Sequence, residues 1–101
     1  MATRLELQDR LEKLLESRHV YYEPPESLKM EYPAIVYSKN NIITVKTNNH
    51  IYKKDTRYTV IVIDKRPDNP VIDKLLDMPY CSHDRTYKSE NLYHDVFTVY
   101  F

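Results

Sequence analysis

Cys81, His83-Asp84 and His94-Asp95 are the residues of this chain whose types and spacing could do chemistry. Histidine, cysteine and aspartate are the usual ligands of a transition metal, and Cys-x-His is a tight spacing. Geometry argues against a shared ion. If Ser89 to Leu92 form a hairpin turn, His94 pairs across from Tyr87, and His83 lies four residues along the strand, about 13 Å away. A Cys81–His83 nucleophile pair fares no better, because side chains at i and i+2 point the same way but no oxyanion hole or pocket signature accompanies them. The His-Asp dipeptides also lack the helical context of HD-type phosphohydrolases. The chain has no glycine, which removes the phosphate-cradling loops of P-loop and Rossmann proteins. The expectation is therefore no catalytic residue, no metal site and no cofactor, with these side chains pairing across strands and with solvent.

The elements that carry these residues are readable from pattern. Thr56 to Asp64, TRYTVIVID, is the longest β-favouring run. Tyr58, Val60 and Val62 alternate with Thr59, Ile61 and Ile63, so both faces are apolar, as in a central strand. At the N-terminus Thr3 and Glu6 have the spacing of a capping box. A helix should follow to about Arg18, with Leu7, Leu11, Leu14 and Leu15 as its apolar stripe and Glu6–Arg10 and Asp9–Lys13 as i,i+4 pairs. His19 to Tyr22 reads as a short strand, Pro24-Pro25 as a connector, and Tyr32 to Tyr37 as the next strand. After the central strand, Asn69 is placed as N-cap and Pro70 as first helical residue of a short helix buried through Val71, Ile72, Leu75 and Leu76 and ended by Pro79. Cys81 to Lys88 and Tyr93 to Phe101 complete the chain as a hairpin. Its last strand carries Val96 and Tyr100 on one face and Phe97, Val99 and Phe101 on the other. Without glycine, turns needing positive φ should fall to Asn40-Asn41, Asn48-Asn49 and Asn91.

The fold class is thus α+β: a mostly antiparallel sheet of about four to five strands, an N-terminal helix, and a short helix between the central strand and the C-terminal hairpin. A length of 101 residues gives a single domain. The 15 basic and 15 acidic residues cancel, which argues against a chain whose main work is coating nucleic acid or an anionic membrane. Local charge is uneven. Residues 39–57 hold five basic residues and one acidic, a net of +4, between flanks of −2 each. No apolar run reaches the roughly 20 residues of a membrane helix, there is no signal-peptide core, and one cysteine suits a reducing compartment, so the chain reads as cytoplasmic when made.

From about residue 38 to 56 the pattern weakens, and the expectation is an extended excursion, either a loose hairpin or a solvated loop. Lys46, Tyr52, Lys53, Lys54 and Arg57, with Tyr93 and Phe101, are the candidate interface or lumen residues. A basic, tyrosine-bearing arm on a neutral protein is where contact with a partner subunit or with phosphates would concentrate. That leaves a small nucleic-acid-binding module built on segment 39–58 as the alternative function, although an RNP-type pattern is missing.

The order of elements, together with the segments YYEPP, YPAIVY, RYTVIVID, NPVIDKLLDMPY and YCSHDRTYKSENLYHDVFTVYF, resembles small neck, head-tail connector or tail-completion proteins of tailed bacteriophages and prophages. Tyr80, Cys81, Asp84, Arg85, Asn91, Leu92, His94, Phe97, Thr98 and Phe101 carry the most specific part of the likeness. The resemblance implies a structural virion protein of the tail-terminator type, made in the bacterial host cytoplasm and without enzymatic activity. It implies self-assembly into a ring, hexameric in that group, between the tail-tube protein and a head-completion or connector protein. DNA would pass through the lumen, and no membrane is involved.

Overall fold

The computed structural model describes residues 4–25, 28–47 and 50–101, with the side chains of residues 43–55 outside the description. In chain order the elements are α1 (Arg4–Leu15), β1 (Val20–Tyr22), β2 (Ala34–Thr47), β3 (His50–Asp64), α2 (Pro70–Leu76), β4 (Cys81–Ser89) and β5 (Leu92–Tyr100). The strands form one sheet in the order β1-β2-β3-β5-β4. Three of its four pairings are antiparallel, and β1 lies parallel to β2 with Val20 beside Ile35. The chain is α+β, and Thr56 to Asp64 is the inner part of its middle strand.

Pairing register sorts the side chains into rows across the sheet. On one face run Ile35, Val62, Asp95 and Thr86, then Tyr37, Val60, Phe97 and His83, then Lys39, Tyr58, Val99 and Cys81. The apolar members of these rows, with Leu7 and Leu11 of α1 and Val71 and Leu75 of α2, make the hydrophobic core. Both helices therefore cover this first face. The second face carries Ala34, Ile63, His94 and Tyr87, then Val36, Ile61, Val96 and Arg85, then the hydroxyl row Ser38, Thr59, Thr98 and Ser82. Ala34, Ile63 and Val96 are buried there, while Val36 and Ile61 are half-buried.

α1 stops at Leu15, short of Arg18, because Glu16 takes a left-handed φ of 59° and the Ser17 N–H closes onto the Glu12 carbonyl at 3.2 Å, the bond of a Schellman cap. Leu7 and Leu11 are fully buried and Leu14 and Leu15 partly so; Asp9 and Lys13 pair at 3.2 Å. Thr3 of the expected capping box lies outside the described residues. Gln8 reaches across to the Val20 carbonyl at 2.9 Å and receives the Tyr37 hydroxyl, which ties α1 to β1 and β2.

α2 begins as its sequence requires. Asn69 accepts the Val71 N–H at 2.9 Å through Oδ1, and donates through Nδ2 to Asp64 Oδ2 at 2.6 Å. The buried carboxylate that ends β3 thereby orients the side chain that starts the next helix. Val71 and Leu75 are buried, but Leu76, expected in the stripe, is 47% exposed. Successive residues stand about 100° apart around a helix, so Leu75 turns into the core and Leu76 away from it.

Positive φ falls on Glu16, Glu23, Tyr80, Glu90 and Asn91. Of the asparagines expected there, only Asn91 does so among the described residues. Asn40-Asn41 instead lies in β2, where the register slips between Lys39 and Asn41. Asn48-Asn49 lies outside the described residues.

Candidate functional site

The segment that sequence pattern left between loop and hairpin is a ribbon. β2 and β3 stay paired from Ala34–Ile63 out to Thr47–His50, with a second register slip between Val45 and Lys46 that passes over Tyr52. The rest of the sheet does not follow them. β5 pairs with β3 only as far as Tyr100 beside Arg57, and β1 with β2 only as far as Tyr22 beside Tyr37. Beyond those points two strands continue without a third on either side, which gives the molecule its elongated shape of 51 × 29 × 23 Å. Periodicity could not reveal this. A two-stranded ribbon buries neither face and needs no alternation.

Of the seven candidates, the structure gathers two at the root of this ribbon. Arg57 sits on the second face beside Tyr100 and donates from Nη2 to Asn40 Oδ1 at 3.3 Å, while Asn40 donates to the Thr59 hydroxyl at 3.1 Å. Its Nε is buried without a hydrogen-bond partner. Phe101 donates its N–H to the Thr56 carbonyl at 3.0 Å, packs against the core, and borders an open groove of about 300 Å³ along α1 with Arg10, Lys13 and Leu14. Lys46, Lys53 and Lys54 are spaced along the ribbon backbone, opposite Ile51, Val45 and Thr44. Their side chains, and that of Tyr52, lie outside the described ones. Tyr93 does not join them. It pairs with Asp64 at the far end of β5, with the Lys88 ammonium 5.1 Å from its ring centre.

The cysteine and histidines are held apart. Tyr87 does stand opposite His94, and the two rings stack at 4.7 Å with 9° between planes, on the second face. His83 is on the first face, because Asp84 forms a bulge that shifts the register of β4 between His83 and Arg85. Its ring stands edge-on to Phe97, and its Nε2 lies 3.0 Å from the Thr86 hydroxyl and 3.2 Å from Asp95 Oδ1. Thr86 also donates to Asp95, so this buried carboxylate is satisfied by two neighbours on β4. Sequence reasoning did not find this trio; its only signal was a threonine three residues after His83.

Burial pushes the Cys81 thiol above its usual range, and the Asp84 carboxylate adds to the effect. A raised thiol is the opposite of an activated nucleophile. No group of three metal-ligating side chains occurs among the described residues. No helix among them is long and apolar enough to cross a membrane.

One part of the surface had no place in the sequence reading. β4 is an edge strand, exposed along Ser82 to Ser89, with the exposed aromatics Tyr80 just before it and Tyr87 within it. Arg85 lies 5.2 Å from the Tyr87 ring centre, and Asp84 accepts the Thr98 hydroxyl at 2.6 Å.

The chain matches no protein-family model, no curated protein and no solved structure.

Proposed function

We propose that this chain is a structural protein of a phage neck or tail, a tail-terminator-type subunit that forms a ring joining the tail tube to the head and catalyses no reaction. The observation that carries the reading is the unsupported ribbon. Two paired strands alone are marginally stable in water, yet here the pairs from Ile42–Thr56 to Thr47–His50 project past the last strand on either side. Such an extension is suited to being covered by a neighbour, and heterologous contacts of that kind close rings. Segment 39–57, which contains the extension, carries a net charge of +4 between acidic flanks, which also suits a subunit arm or a lumen wall facing DNA. The likeness of the C-terminal hairpin sequence to phage neck proteins supports the same assignment. Its partners would be copies of itself, the tail-tube protein and a head-completion or connector protein, and its place the virion after assembly in the host cytoplasm.

The test is removal of Asn40 to Asn49, followed by native mass spectrometry with tail-tube protein present and by an assay of head-tail joining. The full chain should form a closed ring and support joining, and the shortened chain should do neither. Intact assembly and joining without the arm would overturn the proposal.

The basic ribbon also favours a second reading, a nucleic-acid-binding module using Lys46, Lys53 and Lys54 along it and Arg57 at its root. That reading requires affinity for single-stranded DNA at physiological ionic strength that falls steeply as salt rises. Salt-insensitive or absent binding would remove it.

A further inference from the structure

We propose that the β4 edge is a self-complementary docking surface, on which a second copy of this chain adds its own β4 antiparallel about a twofold axis between Asp84 and Arg85. The inference goes beyond the neck assignment and does not depend on it. A nine-residue strand exposed along one side presents unpaired backbone groups, and proteins usually keep such edges short or defended by charge and bulges. β4 has both defences at its centre, the Asp84 bulge and the Asp84-Arg85 pair. Those defences repel most strands but match a second copy.

Turned about its midpoint, β4 sets Asp84 opposite Arg85 of the second copy and Arg85 opposite Asp84, which gives two opposite-charge pairs. The same turn sets His83 opposite Thr86, Ser82 opposite Tyr87 and Cys81 opposite Lys88. Each of these pairs shares a face. His83 and Thr86 both reach Asp95 on the helix-covered side, and Cys81 and Lys88 stand in rows on that side. Ser82 and Tyr87 stand on the other. The match exists only because the bulge changes the parity of the strand between His83 and Arg85. In an unbulged strand, residues an odd number apart point to opposite faces.

The backbone agrees. Tyr100 donates its N–H to the Tyr80 carbonyl, so alternation turns the groups of Ser82 inward to β5 and those of Cys81 and His83 outward. At the other end, Ser89 and Leu92 close a two-residue turn, which leaves Lys88 and Thr86 facing outward. His83 and Thr86, and Cys81 and Lys88, are thus the residues free to exchange hydrogen bonds with the second copy. Tyr80, exposed, immediately precedes the strand.

Sedimentation equilibrium of the full chain and of Asp84→Arg and Arg85→Asp tests this. The full chain should be a reversible dimer. Each variant opposes like charges and should dissociate at least about tenfold more readily. An equimolar mixture of the two variants should dimerise as mixed pairs, because the doubly basic centre of one strand then faces the doubly acidic centre of the other. An unfolded variant could not do so, which makes the mixture its own control for folding. A full chain monomeric at its highest soluble concentration, variants that dimerise like the parent, or a mixture of variants with the parent's circular dichroism and melting that stays monomeric would overturn the proposal. A ring lost on ribbon removal with the β4 dimer retained would separate this surface from the ribbon.

Discussion

The two hairpins of this sheet are opposites in construction. β4–β5 turns in two residues, Glu90 and Asn91, whose φ values of 52° and 66° are those of a type I′ turn, and β5 is buried between β3 and β4. β2–β3 is half again as long, and only its lower half has neighbours. The first hairpin is held by what lies beside it. In the second, the part from Ala34 to Tyr37 and from Tyr58 to Asp64 belongs to the core, Thr56 and Arg57 are tied to the end of β5 through Phe101 and Tyr100, and the rest is held only by its own ladder. One strand can therefore be both the centre of a fold and the start of an arm that the fold does not need.

Substitutions that separate anchored from projecting parts should differ widely in cost. Phe97→Ala removes the largest fully buried side chain of the short hairpin and should destabilise by about 3–5 kcal/mol in urea unfolding. A smaller loss would mean the helix-covered face is not the core. Asn69→Ala, at the anchored end of the long hairpin, removes the cap of α2 and one partner of buried Asp64, and should cost about 1–2 kcal/mol. No loss of helix signal or stability would show that α2 is held by packing alone.

Tyr58 supplies a pH test at the point where the core gives way to the ribbon. Burial pushes its hydroxyl above the usual value near 10, with Tyr22 and Tyr37 adding to the effect. A raised pKa in the folded state means the unfolded chain ionises first. Stability is then full below about pH 10 and falls as pH rises toward the folded pKa. Tyr58→Phe should flatten that alkaline fall in a pH series of urea melts, with a lesser change at pH 7; an unchanged slope would place the titration elsewhere. Replacing residues 43–55 by an Asn-Gly turn, which keeps Thr56 and its bond from Phe101, should change stability by less than about 1 kcal/mol, since no third strand pairs with that part. A large loss would tie the ribbon to the domain. Smallest of all, Glu90→Asn should stabilise by a few tenths of a kcal/mol, because asparagine tolerates the left-handed backbone better than glutamate.

What was legible in the sequence was local. Asn69-Pro70 carries its own cap geometry, and the Ser89–Leu92 turn sets the pairing of Tyr87 with His94 without help from the rest of the chain. The two-faced apolar run of β3 named the middle strand. What was not legible depended on distant partners. Nothing near Val20 says that its strand pairs parallel to β2, and the polar stretch after Tyr37 extends as a strand because β3 lies beside it. The bulge at Asp84 sends His83 to the face opposite His94, and no local signal marks it. Left-handed glutamates were unexpected because capping geometry, at Glu16 for example, overrode residue preference.

The freedom of the ribbon from the rest of the sheet makes its length a variable independent of the fold. Each residue added to both strands lengthens it by about 3.3 Å, and additions of two restore the alternation of faces. Neither Arg57 beside Tyr100 nor Tyr37 beside Tyr22 would move. Paired insertions along the two strands would change the ribbon's reach while every residue of the core stayed as it is.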